Sequence, residues 1–223
     1  MKRMNRIGLY LVLAVFIGGA QQAFGQEFSM GFFSGMVISS IDDNDRLIGT
    51  KSYNTGLAAG GNVIWHLSEY AGLRAELGYE RKGNTRTIES YDTQGVPVVR
   101  TVTSGLLDYI SLSFPAEFSI GNKAKILMHL GPSVNFLLKY TKKDTYGVEV
   151  TSVEKLNHTF AYNKIDISLL AGLGMALPLD DKWTITAESR YFRGFVSLPK
   201  ELLAPEQQNF GFIAALGMRY VIK

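Results

Sequence analysis

Apolar and polar residues alternate along most of this chain with a period of two, the signature of strands whose faces meet different surroundings. From Trp183 to Tyr191 one face carries Trp183, Ile185, Ala187, Ser189 and Tyr191, and the other carries Thr184, Thr186, Glu188 and Arg190. From Phe210 to Ile222 the first face is Phe210, Phe212, Ala214, Leu216, Met218, Tyr220 and Ile222, and the second is Gly211, Ile213, Ala215, Gly217, Arg219 and Val221. Between Leu73 and Glu80, Leu73, Ala75, Leu77 and Tyr79 alternate with Arg74, Glu76, Gly78 and Glu80. One face is therefore large and apolar, the other small, polar or charged. Glycine weakens a strand and gains little on a wet outer surface, but it leaves room inside a narrow barrel. The pattern places the apolar face outward and the mixed face in a lumen.

Eight such strands are expected, at about 28–39, 56–66, 71–81, 106–119, 124–140, 165–177, 183–192 and 209–222. Their connections alternate in length. Leu67 to Tyr70, Ile120 to Lys123 and Pro178 to Lys182 are tight, whereas 40–55, 82–105, 141–164 and 193–208 are long and polar. The longest later apolar run, Ile167 to Leu179, is broken by Gly172 and Gly174 and ends near Pro178, so it predicts no membrane helix. An even number of antiparallel strands, short turns on one side and long loops on the other, is the plan of a transmembrane barrel. The predicted fold class is all-β, an eight-stranded antiparallel up-and-down transmembrane β-barrel. Aromatic residues sort accordingly. Phe28, Trp65, Tyr70, Phe118, Trp183 and Tyr220 lie near the short turns or termini, and Tyr79, Tyr109, Tyr140, Tyr191 and Phe210 near the long loops. Val63, Ala75, Leu112, Leu130, Leu169 and Leu216 fill the middle. Aromatic girdles flanking an aliphatic band are a barrel's two interfaces.

The N-terminus changes the charge arithmetic. Residues 1–25 hold Lys2, Arg3 and Arg6 and no acid, then an apolar run from Ile7 to Ala20, then Ala23-Phe24-Gly25 before Gln26. This is the order of a cleaved signal peptide, and the run is too short to span a bilayer. The expected organisation is a signal peptide at 1–25 and a barrel domain at 26–223. Without the leader, 20 basic residues remain against 20 acidic ones, so no basic excess is left for a nucleic-acid partner. The absence of cysteine excludes disulfides, thiolate metal sites and a cysteine nucleophile.

The inward face is expected to hold Arg74, Glu76, Glu80, Glu117, His129, Lys139, Asp166, Glu188, Arg190 and Arg219. Both signs are present in similar number, and an eight-stranded barrel is just wide enough for side chains to fill it. A salt-bridged plug is the expected role, rather than a conducting pore or a catalytic centre. His129 and Ser133, four apart on one strand, both point inward, but a nucleophile, its base and an orienting group must all meet. No phosphate loop or metal-ligand spacing occurs, and Asp42-Asp43-Asn44-Asp45 lacks the remaining spacing of a calcium loop. No catalytic, cofactor-binding or metal site residue is assigned, and no cofactor is expected.

Gly31-Phe32-Phe33-Ser34-Gly35, Leu107-Asp108-Tyr109-Ile110-Ser111-Leu112-Ser113-Phe114-Pro115, Gly131-Pro132-Ser133, Asp166-Ile167-Ser168, Gly172-Leu173-Gly174 and the closing Gly217-Met218-Arg219-Tyr220 together resemble the PorT-like outer-membrane β-barrel proteins of the Bacteroidetes. The proline of the Tyr109 segment stands two places later than in that family's common form. The resemblance implies location in the cell outer membrane and insertion by the barrel assembly machinery, and it carries no catalytic set. The expected function is a structural or interaction role among outer-membrane lipids, with a protein partner reached through the long loops, where Arg86, Glu89, Asp92, Lys142, Lys143, Asp144, Glu149 and Glu154 lie. Two alternatives stand beside it. A soluble lipocalin-like ligand-binding barrel needs the two faces reversed. A lipid-acting enzyme needs a working His129.

Overall fold

The computed structural model describes residues 27–43, 50–91, 94, 97–146, 152–157, 159, 162–199 and 207–222. The leader at 1–25 and the residues between Asn44 and Gly49 lie outside them. Ten strands form among the described residues: β1 (Phe28–Asp43), β2 (Thr50–His66), β3 (Ala71–Tyr91), β4 (Pro97–Ser113), β5 (Ala116–Ile120), β6 (Lys125–Tyr146), β7 (Ser152–Asn157), β8 (Ile165–Pro178), β9 (Trp183–Gly194) and β10 (Gln207–Ile222). All pairings are antiparallel. β1 pairs with both β2 and β10, β2 with β3, and the ladder continues through β4, β6, β8 and β9 back to β10. β5 continues the line of β4 between β3 and β6, so the closed ring has eight staves. Closure leaves no unpaired edge in the ring, which hydrocarbon requires because it offers backbone groups no partner.

The strand expected at 106–119 is interrupted at Phe114–Pro115. Proline has no N–H to give the ladder. The chain instead passes Phe114 N–H to the Pro132 carbonyl (2.9 Å) and accepts at the Pro115 carbonyl from Arg74 N–H (3.0 Å). Gly131 lies directly beneath, where a Cβ would come within 2.4 Å of the Phe114 oxygen and the Pro115 Cα. The tight turns are where the pattern put them. Gly121 has φ +127°, a conformation that favours glycine. Asp180 Oδ1 accepts from Lys182 N–H (2.8 Å) and Trp183 N–H (2.7 Å), closing the β8–β9 turn.

The long connections differ from expectation. Most of 82–105 is strand, because β3 runs to Tyr91 and β4 starts at Pro97. Likewise β6 runs to Tyr146, and β7 pairs back along it from Thr141 to Tyr146. β3 has 21 residues and β6 has 22, whereas a tilted strand crosses a bilayer in about 9–11. Roughly half of each strand therefore projects past the hydrocarbon as a paired hairpin. Polar composition suggested loop; cross-strand pairing overrode it, since each hairpin arm satisfies the other's backbone.

The two faces are as the alternation assigned them. Leu216 is 68% exposed, Leu173 63%, Phe32 60% and Leu77 59%, while Arg74 and Arg190 are each 2% exposed. An apolar outer wall around a charged interior excludes the soluble ligand-binding barrel. At the short-turn end Phe28 stacks on Trp65 and Trp183 meets Tyr220 edge-on; at the other end Tyr53 pairs with Phe210 and Tyr191 with Phe212. Tyr109 and Tyr140 do not belong to the outer girdle. Both are buried and join Ile41, Leu107, Leu137 and Leu198 in a cluster inside the barrel mouth, with Tyr162 packed against it.

Candidate functional site

The lumen is filled in layers, and the register shows why. Three of the long charged side chains have a glycine opposite them on a neighbouring strand. Gly172 faces Arg190, Gly174 faces Glu188 and Gly31 faces Arg219. A Cβ on these glycines would lie 2.9 Å from Arg190 Cγ, 2.8 Å from Glu188 Cγ and 3.1 Å from Arg219 Cγ. Gly60 and Gly78 make the same room for the Phe33 ring, over which the Arg190 guanidinium sits at 5.0 Å. Glycine inside this barrel is the space into which a neighbour folds.

The central layer holds three guanidinium groups, three carboxylates and one imidazole, all buried. Glu188 accepts from Arg74 Nη1 (3.0 Å), Arg219 Nη2 (2.9 Å) and Arg190 Nε (2.9 Å). Glu117 accepts from Arg219 Nη1 (2.7 Å) and Nη2 (2.9 Å) and from Arg74 Nη1 (3.2 Å). Glu76 accepts from Arg190 Nη1 (2.6 Å) and is ion-paired with Arg74 Nε. His129 lies between Glu117 (3.5 Å) and Glu188 (3.7 Å) with neither ring nitrogen in a hydrogen bond. Three cations balance three anions, so a neutral imidazole leaves the layer uncharged.

Above it, Lys82 Nζ contacts Glu80 (2.8 Å) and Asn135 Oδ1 (3.2 Å) and sits 4.3 Å over the Phe192 ring. Asn135 is saturated: Ser111 and Ser133 donate to Oδ1, and Nδ2 donates to the Asp166 carbonyl and Ser168 Oγ. Asn209 joins Tyr109 Oη (3.1 Å) to Asp166 Oδ2 (3.2 Å). An apolar layer of Phe33, Val37, Ala58, Phe192, Ile213 and Ala215 fills the same region. At the short-turn end a cavity of about 680 Å³ is lined by His66, Glu69, Lys125 and others, and stops at Glu117 and Arg219.

Of the ten expected lumen residues, nine are buried and Lys139 is exposed. A register shift between Asp108 and Tyr109 sets Asp108 opposite Lys139 and Tyr109 opposite Leu137. The extra residue on β6 flips the alternation, so Leu137 and Tyr140 point in while Leu138 and Lys139 point out. Lys82 was missed because the strand was expected to end at residue 81, although it is the next alternate position after Glu80. Asn135 and Asn209 follow the same parity as His129 and Arg219 and were legible in principle. His129 and Ser133 do not form a reactive pair; Ser133 bonds Ser113 (2.8 Å) and Asn135 (3.3 Å) instead. Among the loop residues Asp144 is buried, held by Thr103 Oγ1 (2.7 Å) and Lys142 (2.9 Å); Asp92 and Glu149 lie outside the described residues. Asp42 contacts Arg193 at 2.7 Å.

Residues 20–198 match the family described as the outer membrane protein beta-barrel domain. Among solved structures the chain is similar to the attachment invasion locus protein Ail of Yersinia pestis, at 14% identity and a TM-score of 0.44, over 88% of this chain and 99% of that one. It is also similar to OprG from Pseudomonas aeruginosa (9% identity, TM-score 0.46, 88% and 96% covered). A major outer membrane protein from Thermus thermophilus aligns at 13% identity with a TM-score of 0.47, over 89% of this chain and 100% of that one. No curated protein matches in sequence.

Proposed function

The chain belongs to the outer membrane β-barrel domain family, and from that premise we propose that it is a closed, non-enzymatic barrel with a structural and interaction role, its projecting hairpins serving as the contact surface. It is an integral barrel of the outer membrane. The observation that carries the reading is the filled lumen. A neutral ion-pair layer, an amide-bridged layer and an apolar cap stand one above another. No path for ions or solute passes Arg74, Glu117, Glu188 and Arg219 without breaking buried pairs, each costly to open.

The hairpins β3–β4 and β6–β7 face out of the cell, and the tight turns face the periplasm, as in barrels of this plan. The motifs around Gly31, Tyr109, Gly131 and Gly217 favour the PorT-like branch of the Bacteroidetes, inserted by the barrel assembly machinery and without a nucleic-acid partner. The non-enzymatic reading is supported by Ser133, whose hydroxyl is engaged with Ser113 and Asn135. The test is conductance of the refolded protein in planar bilayers, with antibody labelling of whole cells carrying an epitope at Gln94 or at Gly121. Closed bilayers and labelling at Gln94 alone are expected. Steady channel steps would overturn the closed barrel, and labelling at Gly121 alone would invert the topology.

A further inference from the structure

A row of charge crosses three strands at the edge of the apolar outer wall. Arg81 on β3 lies opposite Asp108 on β4, and Asp108 lies opposite Lys139 on β6. Two positions nearer the short turns the same three strands align Tyr79, Ile110 and Phe136, so the row begins where the lipid-facing band ends. Asp108 is fully engaged. Arg81 Nε donates to Oδ1 at 2.7 Å and Nη2 to Oδ2 at 3.4 Å, and the Tyr79 hydroxyl donates to Oδ1 at 2.6 Å. The Arg81 side chain nevertheless remains 44% exposed. A guanidinium has five N–H donors, so those not turned to Asp108 are left for a further acceptor. Lys139 is exposed and, among the described residues, forms no hydrogen bond or ion pair.

The position of Lys139 is built by the backbone. Only the bulge between Asp108 and Tyr109 turns it outward; regular alternation would have pointed it into the lumen. The result is two cations and one committed anion, a net single positive charge, on the wall that faces lipid headgroups. Carboxylates and phosphates are the groups a guanidinium engages through paired donors, and of these a phosphate diester is what a membrane supplies at this depth.

We propose that Arg81, Asp108 and Lys139 form a docking site for the phosphate of an anionic lipid in the leaflet at the hairpin end. Lys139 and the unused N–H groups of Arg81 hold the phosphate oxygens, Asp108 fixes the Arg81 fork, and Tyr79 and Phe136 flank the lipid below its headgroup. Measurement of the site does not depend on which way the barrel faces, because micelles present the same lipid at both ends.

The test is native mass spectrometry of the full chain released from micelles holding equal phosphatidylglycerol and phosphatidylcholine. The wild type is expected to retain phosphatidylglycerol in preference. Lys139→Ala is expected to lower that preference about fivefold, the contribution of one basic side chain near an anionic surface. Asp108→Asn is expected to raise it, since the row gains a net charge. Lys139 is exposed and unpaired, so its variant folds even if the Asp108 variant does not. An unchanged preference in Lys139→Ala overturns the proposal. An equal loss in Lys123→Ala, an exposed lysine in the tight turn at the opposite end of the barrel, means non-specific attraction to charge and also overturns it. Displacement of the lipid by inorganic phosphate means a free-anion site and overturns the lipid assignment; retention in its presence supports it.

Discussion

Replacing Glu188 with glutamine tests whether the lumen is held by charge or merely by volume. The side chain is 3% exposed and touches all three arginines of its layer. Glutamine keeps the shape and one carbonyl acceptor but leaves three guanidinium groups against two carboxylates. The arginines are not abandoned: Arg74 keeps Glu76 and Glu117, Arg219 keeps Glu117, and Arg190 keeps Glu76. Removing one partner of a buried pair costs about 3–5 kcal/mol, and the surviving contacts put this site at the lower end, about 3 kcal/mol. The double variant Glu188→Gln, Arg190→Gln restores neutrality, two arginines against two glutamates, and Glu76 keeps its ion pair with Arg74. It should recover at least half of the loss, a coupling of the size expected within one network. Denaturant unfolding of protein refolded into vesicles, followed by tryptophan emission and by heat-modifiable migration, measures both. A single variant within about 0.5 kcal/mol of wild type, the range of changes away from buried features, refutes the charge argument. So does a double variant as unstable as the sum of the singles.

Leu216, 68% exposed at the middle of β10, should tolerate arginine poorly in a bilayer, losing about 2–4 kcal/mol at the midplane; a harmless Leu216→Arg would contradict the assignment of the outer face. Gly172→Ala places a Cβ 2.9 Å from Arg190 Cγ and should cost about 1–3 kcal/mol by overpacking. Gly61→Ala, on the exposed face with its nearest neighbour at 3.4 Å, should instead gain up to about 1 kcal/mol from reduced chain entropy; equal effects in unfolding titrations would sink the space-sharing account. Asp180 lies in a turn outside the strands, and the N–H groups of Lys182 and Trp183 hold its carboxyl below the usual carboxylate range. Its stabilisation is therefore present above the unfolded-state pKa near 4 and is lost as pH falls through the folded value. The unfolding midpoint of wild type should exceed that of Asp180→Asn at pH 7 and converge with it towards pH 3.

How much of this was legible depended on whether the signal was local. The face assignment was, because a period of two survives as long as pairing is regular, and nine lumen residues followed from it. Lys139 was not, because one inserted residue in β6 reverses every later side chain. The bulge shows only in the pairing of β6 with β4, which no single strand records. The hairpin extensions were missed for a related reason. Polar composition marks where a strand leaves the membrane, not where it stops being a strand, and β3 passes from one regime to the other near Arg81 without a break.

The same reasoning explains why the interior resisted a functional assignment from sequence. Taken alone, Arg74, Glu76, Glu117, His129, Glu188, Arg190 and Arg219 are the residue types of an active centre. What the structure adds is their pairing: the three arginines and three glutamates are ion-paired with one another across the lumen, and His129 lies between Glu117 and Glu188. Gly172 and Gly174 are meaningful only against Arg190 and Glu188 on the next strand. A barrel this narrow cannot hold long charged side chains on every strand at one level, so Arg190, Glu188 and Arg219 each lie against a glycine of the neighbouring stave. An ion-pair layer built this way spans the lumen from stave to stave. On the outer wall the interior has no claim on charge, and there Lys139 and the exposed part of Arg81 can meet an outside partner.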